Sequence, residues 1–340
     1  MKSLNIIKNF IRNNNNSNSI RFFSSNINIV VNSRGIKYIY NEINKKLKNS
    51  NNRQISEGSE LESRVLISHV LDIDSSAITL FSKKNQHRFL TNEEYSRLQE
   101  LVNRRLLNEP ISYLIGYRYF WKHKFHCDRS TLIPRPDSET IVEKILEEKN
   151  KNNLKFDRVL DLGTGTGCLL LSILYELDGS FGVGIDKSKE SLLLANKNAK
   201  ELELKDRVCF LNSDWNHQES LVKELGQFKP FDLVISNPPY ISIDEYKELN
   251  ETVKDWEPTT ALIADENGLK DYRNIGLLLK NNKELLSNNA QVVFEIGKGQ
   301  ENDIIEIMES CGFKFTDSKK DLSSIIRCLV FTRNKENENK

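Results

Sequence analysis

The stretch Phe231–Ile241 carries the strongest chemical signal in the sequence, because an apolar segment ends there in Asn237-Pro238-Pro239-Tyr240. Consecutive prolines have a fixed φ and no N–H group, so their carbonyl oxygens remain available as hydrogen-bond acceptors. We expect the Asn237 side-chain oxygen and the Pro238 carbonyl to accept hydrogen bonds from one planar NH2 group, with the Tyr240 ring stacked on it. The pattern predicts a site that directs an amide or exocyclic amine nitrogen at a methyl donor; an ordinary turn is the alternative.

A glycine-rich turn, Gly163-Thr164-Gly165-Thr166-Gly167, joins the apolar segment Val159–Leu162 to the helical segment Leu169–Leu177. Glycines permit tight turns and close approach of the backbone to a ligand. Asp186 ends the next apolar segment, where a carboxylate can accept hydrogen bonds from ribose hydroxyls. The dinucleotide pattern G-x-G-x-x-G is not matched, because its third glycine comes one residue early, at Gly167. The turn and the acid within the first segment, Asp161, therefore favour S-adenosylmethionine over a dinucleotide.

A further acid and aromatic pair, Asp214-Trp215, follows the third apolar segment, where such side chains can meet an adenine ring. A buried structural tryptophan is the alternative interpretation of Trp215. The candidate catalytic residues are Asn237, Pro238 and Tyr240, and the candidate substrate-binding residues are Asn237, Pro238, Pro239 and Tyr240. The candidate cofactor-binding residues are Gly163, Thr164, Gly165, Thr166, Gly167, Asp186, Trp215 and Asn237.

Alternating strand and helix patterns from Asp157 onward predict the elements that position these residues, in an α/β fold with a parallel sheet. The predicted strands are Val159–Leu162, Gly182–Ile185, Val208–Leu211, Leu233–Ser236, Gln291–Ile296, and a closing pair near Phe313 and at Ile325–Phe331. Helical spacing and a capping-box-like start at Thr91 predict a small helical domain over residues 35–115. Residues 116–156 are predicted to form a connecting β-hairpin and helix, residues 157–333 the catalytic domain, and residues 334–340 a polar tail.

The amino-terminal 34 residues contain no acid, are rich in Arg, Lys, Ser and Asn, and begin with an amphipathic pattern. These features are typical of a mitochondrial transit peptide, and Arg21-Phe22-Phe23 resembles a processing signal. A disordered Asn-rich tail is the alternative. From the first acid, Glu42, to the end of the chain, residues 42–340 carry 43 basic and 48 acidic side chains. A mildly acidic body argues against a general nucleic-acid binder, and we expect neither direct nucleic-acid nor membrane binding.

The chain resembles the HemK/PrmC family of protein-(glutamine-N5) methyltransferases over about residues 60–332. The motifs that carry the resemblance are Glu109–Gly116, Phe120-Trp121, Leu132–Glu139, Gly163–Gly167, Asp186, Ser213-Asp214-Trp215, Asn237–Tyr240, Glu257-Pro258, Gly268-Leu269 and Phe294–Gly297. Two departures are small: Ser138 stands where Thr is usual, and Ser323-Ser324 replaces Ala-Gly after Asp321-Leu322. Neither is expected to touch the chemistry.

The resemblance implies a class I methyltransferase-like, doubly wound, mostly parallel seven-stranded sheet with a small N-terminal helical domain. It implies S-adenosylmethionine as cofactor, the glutamine of a release factor Gly-Gly-Gln loop as acceptor, and a role in translation termination. Alternatives are a glutamine methyltransferase for a ribosomal protein, an adenine-N6 nucleic-acid methyltransferase, and a non-catalytic methyltransferase-like binding module. The cluster His123, His126 and Cys127 lacks a fourth ligand at metal spacing, so no metal is expected.

Overall fold

The computed structural model describes residues 35–76, 80–82, 85 and 88–333. The predicted transit peptide at 1–34 and the polar tail at 334–340 lie outside the described residues. The chain divides into two compact units between Ile115 and Gly116. Across the described ranges, no helix combines the length and apolar character needed to cross a membrane.

The first unit is helical, with α1 (Ile36–Lys48), α2 (Arg53–Leu71), α3 (Asn92–Leu106) and the short α4 (Ile111–Ile115). Apolar side chains recur at helical spacing and bury one face of each long helix, as on α1 with Ile36, Ile39, Ile43 and Leu47. Thr91 and Glu94 form the capping box that the sequence predicts at the start of α3. The helical interpretation of this segment is therefore confirmed.

The second unit begins with a two-stranded antiparallel hairpin, β1 (Tyr117–Phe120) and β2 (His123–His126), followed by the helix α5 (Glu139–Asn152). Its main sheet contains β3 (Arg158–Leu162), β4 (Phe181–Asp186), β5 (Val208–Asn212), β6 (Phe231–Ser236), β7 (Leu286–Glu295), β8 (Phe313–Lys320) and β9 (Ile326–Arg333). The helices are α6 (Cys168–Glu176), α7 (Lys189–Glu201), α8 (Gln218–Leu225), α9 (Ile243–Lys247), α10 (Glu251–Lys254), α11 (Lys270–Asn281) and α12 (Glu301–Ser310), with a short helical turn at Asp265–Gly268.

The strand order is β5-β4-β3-β6-β7-β9-β8. In this sheet of the described chain, β9 pairs antiparallel with both β7 and β8, and the other strand pairs are parallel. Alternate residues of β3 face opposite sides: Leu160 and Leu162 belong to one buried apolar cluster and Val159 to the other. The mostly parallel seven-stranded sheet with two covered faces confirms the predicted class I methyltransferase fold.

The strand β7 begins at Leu286, five residues before the predicted start. Its first half contains Ser287, Asn288 and Asn289, which hide the strand pattern in the sequence. Leu286 nevertheless pairs with Phe231 across a register shift in the parallel ladder with β6. Tertiary pairing therefore extends a strand that local composition predicts to be a loop.

Candidate active site

Most of the predicted site residues converge on a cleft at the carboxyl ends of β3, β4 and β6. Ligands bind at this end of open parallel sheets. Eight of the predicted residues line the cleft: Gly163, Thr164, Gly165, Thr166, Asp186, Trp215, Asn237 and Pro239. The other three, Gly167, Pro238 and Tyr240, lie outside the lining.

The glycine turn is fixed by its own neighbours in the sheet. The backbone N–H groups of Gly163 and Thr164 both donate to the Ile185 carbonyl, over 3.0 and 2.9 Å. Gly163 and Gly165 have φ values of 83° and 54°, in the left-handed region that glycine adopts without strain. A Cβ on Gly167 would lie 3.0 Å from the Leu171 side chain, so this glycine permits close packing of α6 rather than ligand contact.

Asp186 connects the turn to the next strand. Its Oδ2 accepts from the Gly165 N–H and its Oδ1 from the Ser188 N–H, both over 2.9 Å. Burial raises the pKa of Asp186, and these two backbone hydrogen bonds act in the opposite direction. Each carboxylate oxygen has more than one lone pair, so Asp186 retains acceptor capacity toward the cleft. Its contact with a ribose stays a prediction.

Asp161 lies at the base of the same turn and is only 1% exposed. Its Oδ2 accepts from the Thr164 hydroxyl over 2.7 Å, while its buried Oδ1 has no hydrogen-bond partner in the described part of the chain. Burial raises the pKa of Asp161 to about 7. A carboxyl group beneath the turn disfavours a bound phosphate and suits a ligand with a cationic end.

Trp215 is 8% exposed and belongs to the apolar core, yet it also lines the cleft. Its indole N–H donates to Asp271 over 2.9 Å, and a Cβ on Gly163 would lie 3.3 Å from its ring. The buried part of the Trp215 side chain therefore fits the structural interpretation. The cofactor-binding interpretation concerns the part that lines the cleft. The predicted adenine contact is not tested by these contacts.

Asn237 is oriented by a residue 99 positions earlier in the chain. Its Nδ2 donates to the hydroxyl of the buried Ser138 over 3.3 Å. Among the described residues its Oδ1 has no hydrogen-bond partner, so an acceptor remains at the cleft. The expectation that the serine at position 138 leaves the chemistry untouched stays a prediction, although Ser138 contacts the candidate residue Asn237. The Pro134–Ser138 segment lies against the end of β6, which no local pattern reveals.

Tyr240 is held on several sides by residues that the sequence analysis did not select as site residues. Its hydroxyl donates to Glu295 Oε1 over 3.4 Å, and its carbonyl accepts from Gln300 Nε2 over 3.0 Å. A Cβ on Gly268 would lie 2.1 Å from that carbonyl oxygen, so the backbone approaches Tyr240 too closely for any other residue. The motifs around Gly268 and Glu295 thus hold Tyr240 in place. In the sequence, only the position of these motifs in the family pattern could have indicated this role.

Glu295 ends β7 and is 1% exposed. Burial raises its pKa to about 7, while the nearby Ser138 hydroxyl and the positive charge of Arg327 act in the opposite direction. Its Oε1 accepts from the Tyr240 hydroxyl, whereas its Oε2 has no hydrogen-bond partner within the described ranges.

Two segments that line the cleft are joined by a buried ion pair. Arg135 Nη2 lies 2.6 Å from Glu257 Oε1, and Glu257 Oε2 accepts from the Ile133 N–H over 3.1 Å. Nearby, the Arg129 guanidinium lies 3.9 Å from the centre of the Trp256 ring, a cation–π contact. These contacts order both segments beside the glycine turn.

The histidines and the cysteine of the possible metal cluster have separate partners. His123 packs on Tyr175 with ring centres 4.1 Å apart, and His126 Nε2 lies 2.7 Å from Glu201. Cys127 is buried, which raises its pKa to about 12. Within the described ranges, no three His, Cys, Asp or Glu side chains are grouped to hold a metal ion.

The residues present fit S-adenosylmethionine. The turn has no Cβ at Gly165, where nothing lies within 4 Å of the position that a Cβ would take, so a ligand can approach the backbone. Acidic groups at Asp161, Asp186 and Asp214 surround the turn and suit a cation that carries hydroxyls.

Comparison with known proteins gives two family matches: residues 40–116 match "PrmC N-terminal domain", and residues 153–323 match "Methyltransferase domain". A release factor glutamine methyltransferase of Rhodospirillum rubrum is 35% identical, over 80% of this chain and 78% of that protein. One of Thermodesulfovibrio yellowstonii is also 35% identical, over 81% and 92%. A bifunctional methyltransferase of Rickettsia felis is 32% identical over 81% of this chain, which spans about half of that relative's length, 54%.

Proposed function

Because the chain belongs to the release factor glutamine methyltransferase family, we propose that it methylates the side-chain amide nitrogen of a release factor glutamine, using S-adenosylmethionine. The observation that carries this proposal is the Asn237 amide, whose Nδ2 is engaged by Ser138 while its Oδ1 remains available at the cleft. An amide NH2 is a donor, so an available oxygen is the group required to hold it. We place the accepting glutamine in the Gly-Gly-Gln loop.

An amide nitrogen is a poor nucleophile because its lone pair is delocalised into the carbonyl. When bound, S-adenosylmethionine supplies an electrophilic methyl group. Asn237 Oδ1 and the Pro238 carbonyl would hold the NH2 group in the orientation for attack on that methyl, and this positioning would lower the entropic part of the activation barrier. The same two oxygens stabilise the positive charge that develops on the nitrogen.

The segments around the cleft are held in place by their own contacts. Arg135 and Glu257 hold their segments together beside the glycine turn, and the Tyr240 ring packs close to Gly297. In a site with little water, the dipoles of Asn237 and Pro238 act more strongly than they would in solution.

The test is methyl transfer from labelled S-adenosylmethionine to a purified release factor, with the modified residue mapped by mass spectrometry. We expect one methyl group on the glutamine of Gly-Gly-Gln. The control is the same factor with that glutamine replaced by glutamate, which should remain unlabelled. Label on a ribosomal protein or on adenine in RNA, with none on the factor, would contradict the proposal and favour the corresponding alternative.

We further propose that the protein acts in the mitochondrial matrix. Support comes from the acid-free composition of residues 1–34 and the Arg21-Phe22-Phe23 pattern. A fluorescent fusion of the full chain should enter mitochondria, and the fusion that lacks residues 1–34 should not, while the purified short form keeps its activity. A control with Lys8 and Arg12 changed to Gln separates the effect of charge from that of length. Cytosolic location of the full-length fusion would refute the targeting proposal.

A further inference from the structure

The segment that follows the turn Asn237–Tyr240, residues 242–261, borders the cleft but buries little of itself. It contains α9, α10 and a helical turn at Thr259–Ala261, and neither α9 nor this turn has a buried residue. Its buried residues are Thr252 and Glu257, and neither is apolar. A segment with few buried apolar contacts opens locally at a low cost in free energy. We call residues 242–261 the flap.

The two ends of the flap are fixed to each other. Ile241 forms a parallel bridge with Ile263. The Ile241 N–H donates to the Leu262 carbonyl, and its carbonyl accepts from the Ala264 N–H, both over 3.0 Å. Leu262 and Ala264 are buried, so this junction is part of the core. The residues between the two ends can therefore move without displacing the junction.

The flap forms the cleft together with a second segment, residues 130–135. Pro258, Thr260 and Ala261 of the flap line the cleft, as do all six residues of the second segment. The second segment is anchored to α7, because the Ser130 carbonyl accepts from the Ser191 hydroxyl over 2.8 Å. Of these two segments, the flap is therefore the one that can leave the cleft.

An inner and an outer contact join the flap to the chain around the second segment. The inner contact is the ion pair of Arg135 with Glu257, whose side chain is 1% exposed. The outer contact is the cation–π pair of Arg129 and Trp256, with 3.9 Å between the guanidinium carbon and the ring centre. Arg129 is exposed and Trp256 is partly exposed. Loss of the inner contact would leave a buried charge, whereas loss of the outer contact would not.

We propose that the flap opens to exchange S-adenosylmethionine, and that Arg129 and Trp256 are positioning residues that form a clasp on the closed flap. Neither side chain lines the cleft. Loss of the clasp should therefore change how often the flap opens and leave the contacts of the cofactor intact. Association and dissociation should both become faster, with little change in affinity. The inference concerns the cofactor alone, so it goes beyond the proposed function and does not depend on which substrate accepts the methyl group.

The first experiment measures association and dissociation of tritiated S-adenosylmethionine with the full chain by rapid filtration. We expect Arg129→Ala to raise both rate constants by about two- to fivefold, the effect of one exposed cation–π contact, with Kd within about twofold of wild type. Arg129→Lys keeps the positive charge and Trp256→Phe keeps an aromatic face, so each should give a smaller increase. The unfolding temperature should not change.

The matched control is Lys124→Ala, which removes a cation–π contact with Tyr117 on the β1–β2 hairpin, outside the lining of the cleft. Its rate constants should equal those of wild type. The double variant Arg129→Ala/Trp256→Leu should be no faster than either single variant, because the two side chains make one contact. Single effects that multiply in the double variant would overturn the clasp.

Two other outcomes of the same measurement would also overturn the clasp. One is a pair of wild-type rate constants in Arg129→Ala. The other is faster dissociation with unchanged association, because Arg129 would then hold the cofactor itself. A release factor that stays unmethylated in every protein would refute the proposed function and leave the clasp standing.

A second measurement follows the flap directly by hydrogen–deuterium exchange of its backbone amides. We expect peptides from the flap to exchange about two- to fivefold faster in Arg129→Ala than in wild type, and peptides from α11 to exchange at the wild-type rate. Faster cofactor exchange with unchanged amide exchange in the flap would overturn flap opening. Equal acceleration in the flap and in α11 would mean that the substitution loosens the whole unit, which would overturn the clasp.

Discussion

Two neighbouring turns form the centre of the site, and they are held in place in different ways. The turn Gly163–Gly167 follows β3, and the turn Asn237–Tyr240 follows the adjacent β6, with Leu162 opposite Ser236 in the sheet. The first turn bonds to Ile185 and Asp186 at the end of the next strand in the chain. The second is supported by Ser138, Glu295 and Gln300, which are 99, 55 and 60 positions from their partners.

We expect this difference to separate the residues that affect cofactor binding from those that affect the reaction rate. A turn that is ordered by its adjacent strand presents a preformed surface to a ligand, and its loss should weaken cofactor binding. A turn that is ordered by distant segments orients individual acceptor atoms toward the substrate, and loss of those atoms should slow the reaction. The predictions below test this division, beginning with the largest effect.

Removal of the acceptor side chain should have the largest effect on rate. Asn237→Ala should lower kcat by about 10²–10³, or roughly 2.7–4 kcal/mol, because the developing positive charge loses one preorganised acceptor. Affinity for S-adenosylmethionine should fall only modestly. Single-turnover rates on a Gly-Gly-Gln release factor provide the measurement, with the exposed Asn196→Ala on α7 as control. A wild-type rate in Asn237→Ala would place the acceptor site elsewhere.

Removal of the acid after the first turn should instead affect binding. Asp186→Ala should weaken S-adenosylmethionine binding by roughly 1.5–3 kcal/mol for each charge-assisted hydrogen bond to the ribose. Calorimetric titration measures this change, and Asp178→Ala, which removes an exposed carboxylate outside the cleft, is the control. Unchanged affinity in Asp186→Ala would refute the ribose contact and weaken the division between the two turns.

The position of the first turn should also depend on a strand glycine beneath it. A Cβ on Gly184 would lie 2.7 Å from the Phe210 ring and 2.9 Å from Thr164 Oγ1. Gly184→Ala should therefore lower the free energy of unfolding by about 1–3 kcal/mol and weaken cofactor binding. Gly58→Ala in α2, where a Cβ has ordinary contacts, should be neutral or stabilising. Denaturant titration compares the two, and a stable Gly184→Ala with full affinity would contradict this prediction.

The smallest effect is expected at the turn between β8 and β9. Ser324 has φ of 63°, which costs a residue with a side chain more than it costs glycine. Ser324→Gly should raise the free energy of unfolding by about 1 kcal/mol and leave kcat unchanged. Ser323→Gly, at a neighbouring exposed position without positive φ, should not stabilise the protein. A changed kcat in Ser324→Gly would mean that support for the second turn extends to this loop.

The sequence predicts the parts of the site that depend on local order. The glycine spacing and the strand before the glycines place Gly163–Gly167 and Asp186 at the cleft. The apolar run that ends at Asn237 places the second turn on the same edge of the sheet. The support of that second turn could not be predicted, because Ser138 and Glu295 reach it through chain folding over long separations. The early start of β7 was missed for the same reason, since pairing with β6 overrides its polar composition.

The Arg135–Glu257 ion pair has a consequence for how the sequence can change. Glu257 is 4% exposed, so loss of Arg135 alone would leave an uncompensated buried charge. Loss of Glu257 alone would also remove the hydrogen-bond acceptor of the Ile133 N–H. A single substitution at either position therefore lowers the free energy of unfolding, whereas a paired change of both residues avoids this loss. We therefore expect Arg135 and Glu257, which lie 122 positions apart in the chain, to change together rather than singly among related sequences.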